Sequence, residues 1–337
     1  MGFFARQTLK RAWKHIGKRD LRRLATQKPT PGIEGDYEIY YTGDRDPLLS
    51  LDVYYPKGTE GLLPVIFDIH GGGWMYGSKE INRNYCLSLA SRGFAVVNIN
   101  YRLCPEADLE AQINDIFRAL HWLGAHGAEH HCDTENVFVT GDSAGGHLST
   151  LAVALSVEPT LLSLYSIKKL PFPIRAIAAT HIAPDVCGGM QGSKASNKSI
   201  NREYKRMLFG KRPDANLIFY KATIYTTAKP ETYPPILVVT SEADDLYPHS
   251  QKLIDFLKEK GFRYETAIAE PNPKSKHVFN VAHPDRKDGI LMNDRIAGFF
   301  RGKINAERLL ADERARPAGT RGLSADDFEN NVTVQYR

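Results

Sequence analysis

No stretch of this chain approaches the roughly 20 consecutive apolar residues that a membrane-spanning helix needs. The N-terminus carries basic residues but no apolar run ahead of a small-residue cleavage site, which argues against a secretory leader. Cysteine is scarce: Cys86, Cys104, Cys132 and Cys187 show no paired spacing. Neither a disulfide framework nor a thiolate zinc site is therefore expected, and free thiols in a reducing cytoplasm are the economical reading. The sequence has no Walker loop, no dinucleotide fingerprint and no internal repeat. The run Glu129-His130-His131-Cys132-Asp133 holds metal-capable side chains, but adjacent residues rarely converge on one ion and no spaced partner appears. It reads as a structural loop, and neither a metal nor another cofactor is expected.

What is present points to a globular protein. At 337 residues, 42% hydrophobic and 25% charged, the chain can bury a substantial core as one large α/β domain or two ordinary ones. Its net charge of +5 is unevenly spread. Residues 1–28 hold nine basic side chains and one acid, Asp20, so the remainder carries −3. No dedicated basic face for nucleic acid is implied. Within 1–28, Leu9, Trp13, Ile16 and Leu24 fall near helical spacing opposite Lys10, Arg11, Lys14 and Lys18. A weak membrane-surface contact by a basic helix is one reading. A helix that packs on its own protein is the other, and general experience ranks it ahead.

From about residue 37 the pattern is strand-rich and then alternates strand with helix. Tyr37–Thr42 and Leu49–Tyr55 read as an antiparallel opening. Val65–Ile69, Phe94–Asn100, Val137–Thr140, Ile174–Thr180, Ile236–Thr240 and Tyr264–Ile268 read as further strands. Helices are expected at Ile81–Arg92, Asp108–His126, Ser143–Ser156, Ser250–Lys260 and Ile290–Phe300. Such alternation predicts a mostly parallel sheet with helices on both faces. Residues 184–230 fall outside it, with a helix-like piece at Ile200–Phe209, and an insertion of that size usually has a role over a site. The tail after Lys303 is charged, punctuated by Gly and Pro, and reads as partly disordered.

Gly141-Asp142-Ser143-Ala144-Gly145-Gly146 is the stretch that names a chemistry. A serine with glycine at i−2 and i+2, entered from an apolar strand, matches a nucleophile elbow, whose tight turn leaves no room for a Cβ on either side. The helix that starts there points its free N–H groups at the charge that builds in acyl transfer. His70-Gly71-Gly72-Gly73-Trp74, directly after the Val65–Ile69 strand, lets backbone N–H groups turn toward one point, as an oxyanion hole requires.

Together with Asn100-Tyr101-Arg102-Leu103-Cys104-Pro105-Glu106, these motifs resemble the hormone-sensitive-lipase-like family of α/β-hydrolases, over roughly residues 37–300. The resemblance implies an α/β-hydrolase fold: a mostly parallel eight-stranded sheet flanked by helices, with a helical cap. The cap would comprise 1–36 and the inserted 184–230, around a core of 37–183 and 231–302, followed by the charged tail 303–337. Cys104 stands where the family usually has Ala, which should affect packing rather than mechanism. The fold's chain order of serine, acid, histidine places the acid in Ser241-Glu242-Ala243-Asp244-Asp245-Leu246. The family's Asp-Pro-Leu pattern maps onto Asp244, with Glu242 and Asp245 as rivals. His277 occupies the place of the family's His-Gly-Phe. His249 precedes the last helix–strand pair, and His283 is the weaker alternative. The family's oxyanion donors correspond to the N–H groups of Gly72, Gly73 and Ala144.

The leading expectation is a cytoplasmic serine carboxylesterase acting on short-chain acyl esters. Alternatives are a deacetylase of acetylated sugars or small metabolites, an arylformamidase-like amidase, or a non-catalytic binding protein on a hydrolase scaffold. Small-molecule ester is the expected partner. His147, one turn into the elbow helix, reads as a packed histidine and Arg102 as half of an ion pair.

Overall fold

The computed structural model describes residues 2–186 and 198–305. The chain divides into a compact unit, Met1–Lys303, and a C-terminal unit, Ile304–Arg337. Residues 306–337, on which the disordered-tail expectation rests, lie outside the described residues, as do 187–197 with Cys187.

The strands are β1 (Ile33–Tyr40), β2 (Ser50–Pro56), β3 (Leu63–Ile69), β4 (Ala95–Ile99), β5 (Cys132–Asp142), β6 (Ile174–Thr180), β7 (Ile236–Ser241) and β8 (Tyr264–Ala269). The helices are α1 (Gly2–Thr26), α2 (Lys79–Ala90), α3 (Leu109–His126), α4 (Ala144–Val157), α5 (Pro159–Leu164), α6 (Lys198–Phe209), α7 (Ile224–Thr227), α8 (Tyr247–Lys260), α9 (Phe279–Ala282) and α10 (Lys287–Arg301). One eight-stranded sheet runs β1-β2-β4-β3-β5-β6-β7-β8. β2 is antiparallel to both neighbours, and the remaining pairs are parallel.

The two periods in the sequence explain the layers. Val65, Phe67 and Ile69 of β3 join Val137 and Val139 of β5 in a core with α3, α4 and α8. The alternate residues turn to the opposite face, where Phe138 stacks on Phe300 of α10 and Asp68 meets Asn82 and Cys86 of α2. Local signals set the helix ends. The Asp108 carboxylate accepts from Ala111 N at 3.0 Å to cap α3, and Gly261, at φ 75°, closes α8.

Some boundaries differ from expectation. β1 begins at Ile33 rather than Tyr37, because Ile33 to Asp36 pair with Pro56 to Val53. β5 begins at Cys132, where Cys132 and Asp133 pair with Leu63 and Pro64 ahead of an irregularity at Val65. α8 starts at Tyr247, with Pro248 in its first turn, where a missing N–H costs nothing.

Register aligns the carboxyl ends of the parallel strands: Ile69 lies opposite Gly141, and Asp142 opposite Thr180. The segments leaving β3, β5, β6, β7 and β8 therefore start along one edge of the sheet, the edge where open α/β sheets hold their ligands.

Candidate active site

Ser143 sits between β5 and α4 at φ 53° and ψ −115°, a region that non-glycine residues rarely occupy. The flanking glycines make that turn possible. A Cβ at Gly141 would press on Gly145 O, at 2.6 Å, and one at Gly145 would collide with the carbonyls of Ile69 and His70. The elbow is thereby packed directly on the loop leaving β3.

His277 Nε2 lies 3.0 Å from Ser143 Oγ, and its Nδ1 lies 3.0 Å from both carboxylate oxygens of Asp244. Asp244 is buried while His277 is partly exposed. Burial alone would raise the Asp244 pKa, but hydrogen bonds donated by His181 and His277 hold it well below the usual carboxylate range. The carboxylate is thus ionised and keeps the His277 proton on Nδ1, leaving Nε2 free to accept from the serine hydroxyl.

The loop after β3 is pinned by Gly71 N, which donates to Asp142 Oδ1 at 3.0 Å. Gly72 and Gly73 follow at φ 114° and 58°. The N–H groups of Gly72, Gly73 and Ala144 make no hydrogen bond among the described residues. Gly72 and Ser143 border the same cavity, and Ala144 opens α4 directly after the serine.

Comparison with known proteins gives this arrangement its lineage. The BD-FAE family model matches residues 51–257, more than half of the chain. The chain belongs to the BD-FAE family. It is a hormone-sensitive-lipase-like α/β-hydrolase. Crystalline esterase B from Lactobacillus rhamnosis is 30% identical with a TM-score of 0.85, covering 93% of this chain and 98% of that one. The same esterase inhibited by a C4-C4 SN3 tributyrin phosphonate matches at 31% and 0.83, covering 92% and 98%. Carboxylesterase NlhH of Mycobacterium tuberculosis is 34% identical over 145 residues, 42% of this chain and 44% of that protein. The chain spans at most 64% of the length of the curated relatives matched first.

In this BD-FAE protein the rival candidates stay apart from the serine–histidine line. Glu242 and Asp245 are exposed, and Asp245 borders the large cavity described below. His249 borders a separate, small apolar cavity. His283 borders the large one, and burial lowers its pKa. His147 is buried, with Nδ1 accepting from Trp74 Nε1 at 3.2 Å and Nε2 donating to Ala222 O at 2.6 Å. Burial pulls its pKa down to about 4, so it is a neutral packing histidine. Arg102 forms a two-point ion pair with buried Asp115, at 2.6 and 2.8 Å. The Cys104 thiol is buried, donates to Ala107 O at 3.0 Å, and is pushed up to about 12 by that burial. In the 129–133 loop, His130 Nδ1 meets Asp36 and His131 Nδ1 meets the Gly61 carbonyl, so these rings point to different partners.

One residue escaped the sequence reading. His181, immediately after β6, donates from Nδ1 to Asp244 Oδ2 at 2.5 Å and is fully buried at φ 49°. Burial lowers its pKa, so the ring is neutral. The available signal was its position: β6 pairs with β5, so the residue after Thr180 lies beside the elbow. His181, Asp244 and His277 bring ligand-capable atoms within 4.8 Å of one another. The His181–Asp244 separation is nevertheless a hydrogen bond, with no room for an ion between the two atoms.

Two helices lie over the serine. Trp13 of α1 stacks on Tyr76 with ring centroids 5.5 Å apart, and a Cβ at Gly73 would collide with its indole. Trp13 Nε1 donates to Tyr204 of α6 at 3.3 Å. Beneath α1 is a cavity of about 680 Å³ lined by Trp13, Ile16, Tyr76, Ser143, His277 and Phe279 among others. A cavity of about 20 Å³, lined by Trp74, Ala183, Val186, Tyr204 and Leu208, lies on the other side, where Ala183 N donates to Ser143 O at 3.3 Å.

Proposed function

We propose that this protein is a serine carboxylesterase that hydrolyses short-chain acyl esters, with Ser143 as nucleophile, His277 as base and Asp244 as its orienting acid. The carrying observation is the unbroken line from Ser143 Oγ to His277 Nε2 and from His277 Nδ1 to Asp244. His277 takes the hydroxyl proton as Ser143 Oγ bonds to the ester carbonyl carbon. The carbonyl oxygen becomes an oxyanion held by the N–H groups of Gly72, Gly73 and Ala144, each worth about 3 kcal/mol of barrier. Collapse breaks the C–O bond, and His277 gives its proton to the departing alcohol. Water, deprotonated by the same imidazole, then attacks the acyl-serine and frees the acid and Ser143.

The cavities support the assignment of sides. His277 borders the cavity of about 680 Å³, so the alcohol it protonates leaves there. The acyl group is assigned to the side of Ala183, where the neighbouring cavity of about 20 Å³ has room for little more than one water, which favours the shortest chains. The tributyrin phosphonate on esterase B is consistent with a short acyl group. α1 and α6 act as the cap over both.

The test is hydrolysis of p-nitrophenyl acetate and butyrate by wild type and Ser143→Ala. A fall of about 10⁴-fold or more is expected. Hydrolysis that survives the substitution rejects the assignment.

A further inference from the structure

We propose that the outer face of α1 docks on an anionic lipid surface. The two faces of this helix have different fates. Leu9, Trp13, Ile16, Asp20, Arg23 and Gln27 recur three or four residues apart and turn inward. Leu9 is buried, and Asp20 accepts from the Tyr76 hydroxyl at 3.0 Å. Arg23 and Gln27 donate to Ala282 O. The apolar stripe that a membrane-inserting helix would use is therefore already occupied by the protein itself.

Among the described residues, the part of α1 left uncovered is cationic. Arg11, Lys14, His15, Lys18 and Arg22 follow the same helical spacing on the opposite arc, and all are exposed. The side chains of Arg11, Lys14, Lys18 and Arg22 make no ion pair or hydrogen bond among the described residues. Asp20, the only acid in α1, faces inward. At the edge of the arc Leu21 is 68% exposed. α6 packs beside α1 and exposes Lys198, Arg202 and Arg206.

Charge complementarity selects the partner. Uncompensated Lys and Arg on long flexible stems, with a leucine at their margin, suit anionic headgroups over an acyl boundary. A single-stranded nucleic acid would call for aromatic stacking surfaces, and this arc offers none among the described residues. Arg19, next in sequence to Lys18, borders the large cavity, so docking sets that cavity directly behind the lipid-bound helix. This last consequence rests on the esterase reading, while the docking itself does not.

The test is co-sedimentation of the full chain with phosphatidylcholine vesicles, with and without phosphatidylglycerol. Binding is expected only with phosphatidylglycerol and is lost at high salt. The combined change Arg11→Glu, Lys14→Glu, Lys18→Glu and Arg22→Glu should lower the bound fraction roughly tenfold or more, with p-nitrophenyl butyrate hydrolysis in solution unchanged. Wild type that stays in the supernatant, a variant that binds like wild type, or preferential retention by RNA would overturn the proposal. Ser143→Ala should bind vesicles like wild type. Wild type that hydrolyses p-nitrophenyl butyrate but does not bind vesicles defeats docking alone, and wild type that binds vesicles but does not hydrolyse defeats the esterase reading alone.

Discussion

His181 Nδ1 and Asp244 Oδ2 are 2.5 Å apart in a fully buried pair, so the carboxylate beside His277 is itself held by a second histidine. Removing a hydrogen bond to a charged group costs about 1.5–3 kcal/mol, which is about ten- to a hundredfold in rate if it falls on the transition state. His181→Ala should lower kcat by that factor with KM little changed. His181→Asn, whose amide N–H can reach the same oxygen, should keep most of the activity. Equal losses in both variants would show that the ring's bulk matters rather than its donor.

Val278, next to His277, sits at φ 53°, where a β-branched side chain is crowded. Val278→Gly relieves a cost of about 1–2 kcal/mol in the fold and returns part of it through the looser unfolded chain. A melting temperature that rises, with esterase activity retained, is the expected result. A fall would mean that packing by Val278 outweighs the backbone strain.

Gly73 tolerates no Cβ, because the indole of Trp13 occupies that space. Gly73→Ala should cut kcat/KM by about a hundredfold or more, the scale of a lost oxyanion donor. Adding Trp13→Ala removes the collision and should recover part of the loss. No recovery would assign the whole defect to the φ of 58° at position 73.

Asp68 is buried in β3, where burial and the neighbouring Asp142 carboxylate push its pKa up to about 8 from an ordinary 3.8. In the fold it keeps a proton that the unfolded chain releases. The folded state thus binds more protons between about pH 4 and about pH 8, and stability falls as pH rises through that window. Asp68→Asn cannot ionise, so its melting temperature should exceed that of wild type by more near pH 8 than near pH 5. Parallel pH profiles for the two proteins would contradict the buried, protonated acid.

Much of the fold was legible because it depends on local patterns. The apolar strands, the Asp108 cap and the Gly261 stop are set by side-chain period and backbone freedom. The elbow was equally plain, since Gly141 and Gly145 are demanded by contacts within a few residues or with the adjacent strand end. The ends of β1 and β5 were less legible, because pairing with Pro56 and Leu63 extended them.

The sequence alone determined the chain order of Ser143, Asp244 and His277, the glycines that build the turns, and the concentration of positive charge before residue 29. These are properties of residue type and spacing. Only the tertiary structure decided that His181 reaches Asp244, that Trp13 covers Gly73, and that the apolar face of α1 is taken while the described residues leave its cationic face uncovered. Each of those depends on strands and helices far apart in the chain meeting at one edge of the sheet. No local pattern encodes that meeting, because it is fixed by the register of parallel strands and the packing of the whole core.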